Sequence, residues 1–106
     1  NGSPDMLTSA VEGAGLQNLL DEVFSVDSLS VFKPDPSVYQ LAVDGLGVDA
    51  GRICFMSSNA WDASGAANFG FRVVWCNRYG QRPERLPGDI IHEVTTLAEL
   101  PGLLGI

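Results

Sequence analysis

The chain has 106 residues, 45% of them hydrophobic, and its 13 Asp and Glu against 6 Lys and Arg give a net charge of −7. That size suits one domain with one core, since folding hides roughly 60–70% of the surface that an unfolded chain of this length exposes. The acidic balance and the lack of a basic run exclude nucleic-acid binding by counterion release, and no window of about 18 uninterrupted apolar residues exists to cross a membrane as a helix.

The chain opens Asn1-Gly2-Ser3-Pro4, with neither an initiator Met nor a signal segment, which points to a piece of a longer protein. Ser3 is placed to cap a helix with Pro4 and Asp5 in its first turn; Met6, Leu7, Ala10, Val11 and Ala14 recur at helical spacing up to Gly15. A short helix is expected over Gln17–Asp21, then a strand over Val23–Val26. Lys33-Pro34-Asp35-Pro36 must be extended or turned, because each residue before a proline is pushed out of the helical region. A helix follows from Pro36, with Val38, Tyr39, Leu41, Ala42 and Leu46 on its apolar face and Gly45 or Gly47 at its end.

Ile53-Cys54-Phe55-Met56 has the continuous apolar pattern of a strand covered on both faces, and Ser57-Ser58-Asn59 breaks it. A helix is expected from Trp61 to Phe69, capped by Gly70, followed by a buried strand from Phe71 to Cys76. Asn77 to Gly88 reads as a polar loop, Ile90 and Ile91 begin a last short strand, and Leu97 to Leu104 forms a terminal helix. Strands alternating with helices imply an α/β fold with a parallel sheet. Cys54 and Cys76, each inside an apolar run, read as small buried thiols in a reducing compartment.

Ligand sites in open parallel sheets lie beyond the carboxyl ends of the strands, and three polar groups fall there: Asn1-Gly2-Ser3, Lys33, and Ser57-Ser58-Asn59 with Asp62. Each residue also has a plainer reading. Lys33 is a solvated surface lysine, Asp62 a partner of a helix dipole, Ser57 to Asn59 a cap, Tyr39 a core residue and Trp61 an apolar plug. His92, the one histidine, stands apart from these groups and reads as structural or exposed.

In order and spacing, Asn1-Gly2-Ser3, Phe32-Lys33-Pro34-Asp35-Pro36-x-x-Tyr39 and Phe55-Met56-Ser57-Ser58-Asn59-Ala60-Trp61-Asp62 resemble the second, third and fourth motifs of the haloacid dehalogenase superfamily. Thr95-Thr96-Leu97-x-x-Leu100-Pro101 is also similar to that family's ending. Ser-Ser-Asn-x-Trp-Asp is the version found in L-2-haloacid dehalogenases and is the most discriminating piece. The resemblance implies that residues 1–106 are the C-terminal portion of a Rossmann-like core, with the helical cap and the nucleophilic aspartate upstream. It further implies that Lys33 keeps the nucleophile ionised, that Ser57 and Asn59 tie Lys33 and Asp62 into one hydrogen-bonded network, and that Asp62 activates the water that cleaves an aspartyl ester. Asn1, Tyr39 and Trp61 would contact the substrate, a short 2-haloacid.

The expected activity is therefore hydrolytic dehalogenation of L-2-haloalkanoic acids to 2-hydroxy acids in a cytoplasmic protein, with no cofactor and no metal, and with homodimers as the habit of this type. The fragment alone is expected to be inactive. One alternative is a Mg²⁺-dependent phosphatase of the same superfamily, whose members usually carry an acid where this chain has Ser58. The other is a non-catalytic interaction module.

Overall fold

The computed structural model describes residues 1–106, which divide into two compact units, 1–47 and 48–106. In the first, α1 spans Pro4–Gly13 and α2 spans Pro36–Leu46. Ser3 Oγ accepts from Met6 N at 3.3 Å to open α1, and Pro4 occupies the position where a missing N–H costs nothing. Asp35 opens α2, its carboxylate accepting from the Ser37 hydroxyl at 2.5 Å and from Ser37 N at 2.9 Å. These bonds, the hydroxyl's above all, hold the Asp35 carboxyl below its ordinary pKa. Gly47 ends α2 at φ +63, a conformation glycine adopts without steric cost.

Neither the helix expected over Gln17–Asp21 nor the strand expected over Val23–Val26 forms; residues 17–19 make a turn and 22–25 are irregular. A five-residue helix needs packing to persist, and a strand needs a hydrogen-bonded neighbour, whereas all three strands of the protein lie within 48–106. Local contacts order the segment instead. Ser25 Oγ donates to the Gly2 carbonyl at 2.7 Å, and the Phe24 ring lies so close to Gly45 that a Cβ there would overlap it. Val26, Val38 and Tyr39 are this unit's buried apolar residues. The apolar side of α1 is shallower than its spacing suggests: Leu7 and Val11 are half-buried, and no residue of the helix is fully buried.

In the second unit, β1 (Cys54–Ser57), β2 (Arg72–Cys76) and β3 (His92–Val94) form a parallel sheet in the order β1-β2-β3. The helix α3 (Ala60–Phe69) connects β1 to β2, and α4 (Leu100–Leu104) closes the chain. The α/β architecture expected from the alternating pattern is present, and none of the helices is long and apolar enough to cross a membrane. The central strand β2 matches its apolar run, with Val73 through Cys76 all buried; each such valine contributes about 1.5–3 kcal/mol. One face gathers Val74, Cys76 and Val94 with Met56 and Leu100. Against β1 and β2 lies α3, whose buried residues, Ala63, Ser64 and Ala66, are all small.

Three expectations shift. Cys54 is exposed while Cys76 is buried, because β1 is an edge strand of this sheet. The last strand begins at His92 rather than Ile90, although Ile91 N already donates to the Val73 carbonyl at 3.0 Å. The expected terminal helix splits into a 3-10 turn, Leu97–Glu99, and α4, because Pro101 has no N–H with which to carry an α-helical ladder back to Leu97.

That 3-10 turn is held by a capping box. Glu99 accepts from Thr95 N at 2.9 Å, from the Thr95 hydroxyl at 2.9 Å and from Thr96 N at 3.2 Å, while Thr96 Oγ1 accepts from Ala98 N at 3.4 Å. The backbone N–H of Thr95, then its hydroxyl, then the Thr96 N–H hold the Glu99 carboxyl below its ordinary pKa. A carboxyl depressed on folding stabilises the fold above its unfolded pKa and loses that contribution as pH falls through the folded value. Glu99→Gln is therefore expected to lower Tm at neutral pH, with the gap to the parent closing on acidification through the carboxylate range. Thermal melts across that range check it; a pH-independent gap contradicts an ionic cap.

Candidate active site

At the carboxyl end of β1 the chain turns sharply and enters α3. Asn59 makes the turn: its backbone is extended, with φ −94° and ψ 119°, and its Oδ1 accepts from Trp61 N at 2.9 Å and from Asp62 N at 3.3 Å. Ser57 Oγ, at the last position of β1, accepts from Asn59 N at 3.1 Å. The capping reading of these residues is thus realised. The same bonds bring Ser57, Asn59 and Asp62 together at one strand end, with Asp62 half-buried in the first turn of α3, where the helix dipole favours a carboxylate. A carboxylate so placed can accept a proton from a water molecule. Trp61 is 61% exposed and is therefore not an apolar plug.

In residues 1–47 the structure brings Asn1, Lys33 and Tyr39 together. Lys33 N donates to Asn1 Oδ1 at 2.9 Å, and this commits the amide oxygen and leaves the Asn1 NH₂ as a donor pair suited to an anion. The half-buried Lys33 lies in the turn that precedes α2, where the Lys33–Pro34 peptide is cis. Its Nζ stands 5.9 Å from the centroid of the Tyr39 ring. Tyr39 is 2% exposed, so it is a core residue and also the aromatic face beneath the ammonium. Beside Asn1 is a cleft of about 410 Å³, bounded by Met6, Val26 and Phe32 among others, ample for a ligand of a few heavy atoms.

Two residues of 48–106 escaped the sequence reading. Trp75, in β2, donates its indole N–H to the Ser58 carbonyl at 3.3 Å. Asn77, just beyond β2 and 4% exposed, donates through Nδ2 to Glu93 Oε1 at 2.7 Å and to the Gln81 carbonyl at 2.9 Å, and accepts from Gln81 N at 2.9 Å. Both stood within or beside an apolar run, where the only visible signal is a polar atom that burial obliges to find a partner. His92 is exposed at the start of β3, as expected of a residue outside the motifs. No three His, Cys, Asp or Glu side chains are grouped as a metal site would need.

The chain spans about half the length of the curated relatives it matches. It is 46% identical over 104 residues to (S)-2-haloacid dehalogenase 4A of Burkholderia cepacia, covering 98% of this chain and 45% of that protein. A solved dehalogenase structure superimposes with a TM-score of 0.94 at 45% identity, covering 99% of this chain and 46% of that one. The L-2-haloacid dehalogenase of Xanthobacter autotrophicus, solved with chloropropionic acid covalently bound, superimposes with a TM-score of 0.93 at 35% identity, covering 98% of this chain and 52% of that one. Residues 1–70, which contain all seven candidate site residues, match the model of the haloacid dehalogenase-like hydrolases, and the chain belongs to that family.

Proposed function

We propose that residues 1–106 are part of the core of a hydrolase that dehalogenates short L-2-haloalkanoic acids through an aspartyl ester. The observation that carries this reading is the Ser57-Asn59-Asp62 arrangement at the carboxyl end of β1, supported by the Xanthobacter relative whose structure holds chloropropionic acid covalently. A carboxylate oxygen of the nucleophilic aspartate, supplied by the longer protein, attacks C2 of the haloacid. The carbon–halogen bond breaks and the halide leaves with the electron pair. Lys33 favours the ionised nucleophile, because a neighbouring ammonium stabilises a carboxylate, and the Asn1 amide NH₂ binds the departing halide or the substrate carboxylate. Asp62 then takes a proton from water, the hydroxide attacks the ester carbonyl, and the acyl C–O bond breaks. The departing alkoxide takes that proton back from Asp62 and leaves as the 2-hydroxy acid, and the nucleophilic aspartate is regenerated as its carboxylate with release of one proton to solvent. Two such displacements are each easier than direct attack of water at carbon. Tyr39 supports Lys33, and the exposed Trp61 indole meets the apolar part of the substrate.

The same reading makes the reaction independent of a divalent cation. Ser58 contributes no charged oxygen next to the turn, and one carboxylate, Asp62, is a poor basis for an octahedral site of hard oxygen ligands. The full-length protein is expected to release halide from L-2-chloropropionate at an unchanged rate in excess EDTA, and to leave p-nitrophenyl phosphate intact. Chloride release and phosphate release, each followed with EDTA and with Mg²⁺, check it. Mg²⁺-dependent phosphate release without chloride release would replace this reading with the phosphatase one.

A further inference from the structure

The turn that carries Ser57, Asn59 and Asp62 is tied to the sheet from outside its own segment. Four of its backbone donors are satisfied locally: Asn59 N bonds Ser57 Oγ, Trp61 N and Asp62 N bond Asn59 Oδ1, and Ala63 N bonds the Asn59 carbonyl at 2.9 Å. The Ser58 carbonyl, at the apex, receives the indole N–H of Trp75 at 3.3 Å. Trp75 sits on the central strand, is 4% exposed, and pairs in register with Ser57 at the last rung of the β1–β2 ladder. An indole nitrogen is a donor only, so a buried one must meet an acceptor. Here that acceptor belongs to the Ser58–Asn59 peptide group, whose N–H is bonded to Ser57 Oγ, and a rigid ring fixed in the core holds it in place.

We propose that Trp75 is a positioning residue for this site: through the Ser58 carbonyl it fixes the turn that presents Ser57 Oγ, Asn59 and Asp62. Its catalytic consequence rests on the dehalogenase reading, whereas its effect on the turn does not. A phenylalanine in its place fills most of the same space and donates nothing. The control is Val73→Ala, two residues earlier on the same strand and fully buried, which removes packing at a position paired in register with Phe55 rather than with Ser57.

Two measurements test the proposal. In the full-length protein, hydrogen exchange of the Trp61 and Asp62 amides is expected to accelerate about fivefold in Trp75→Phe, the loss of one neutral hydrogen bond, and to stay within twofold of the parent in Val73→Ala. In the full-length hydrolase, Trp75→Phe is expected to slow ester hydrolysis by a similar factor with KM unchanged, while Val73→Ala leaves the rate as it was. Unchanged exchange in Trp75→Phe, or equal acceleration in both variants, overturns the positioning role. Accelerated exchange confined to Trp75→Phe, in a protein that releases no halide, upholds the hold on the turn and overturns the dehalogenase reading instead.

Discussion

An Asp62→Asn variant of the full-length hydrolase is expected to stop halfway through its reaction. Asp62 sits in the first turn of α3 beside Asn59, and its proposed work, taking a proton from water, begins only after the halide has left. Asparagine keeps the size and the helical position but cannot serve as a base. Alkylation of the nucleophilic aspartate should proceed while hydrolysis slows by on the order of 10²–10⁴, the usual contribution of a positioned general base. Intact-protein mass spectrometry after brief exposure to L-2-chloropropionate should show an added acyl mass, with roughly one halide released per enzyme before turnover stalls. Normal turnover would reduce Asp62 to a partner of the helix dipole. A well-folded variant that neither alkylates nor releases halide would place Asp62 in the displacement itself.

Lys33→Met acts on the other half-reaction. The methionine keeps an unbranched apolar stem at a half-buried position and removes the ammonium that stands 5.9 Å from the Tyr39 ring centroid. The stability lost should be small, since a cation–π contact of this kind contributes about 0.5–1 kcal/mol. Loss of a fixed charge where the nucleophile must stay ionised is larger, on the order of 10²–10³ in the rate of ester formation. Single-turnover halide release together with a thermal melt separates the two effects. A rate within a few-fold of the parent would return Lys33 to the role of a solvated surface lysine.

What could be read from the residues divides along a physical line. The starts of α1, α2 and α3 depend on side chains within three positions of the helix, and Ser3-Pro4, Pro36 and Ser57-Ser58-Asn59 marked them. The central strand was legible as well, because Val73 to Cys76 needs cover on both faces wherever the chain goes. Val23–Val26 has equally good strand composition but no ladder partner in residues 1–47, and composition carries no information about partners. The exposure of Cys54 has the same origin, since an edge position depends on the strand order and not on the strand. In the candidate site, the Ser57-Asn59-Asp62 grouping is local and followed from the motif. The Trp75 bond spans 17 residues of sequence and depends on the β1–β2 register, which only the folded sheet reveals.

The way α3 begins bears on how this segment can change over time. Asn59 caps the helix and Asp62 follows three positions later, so the carboxylate's bearing is set by helical phase, about 100° for each residue. One residue inserted between them swings the carboxylate roughly a quarter-turn or more about the helix axis, and one inserted between Ser57 and Asn59 separates the hydroxyl from the amide it accepts from. Exchanging Ala60 for another small residue does neither. Divergence in this stretch is therefore expected to proceed by replacing residues at constant length, with insertions and deletions displaced into the longer connection that follows β2.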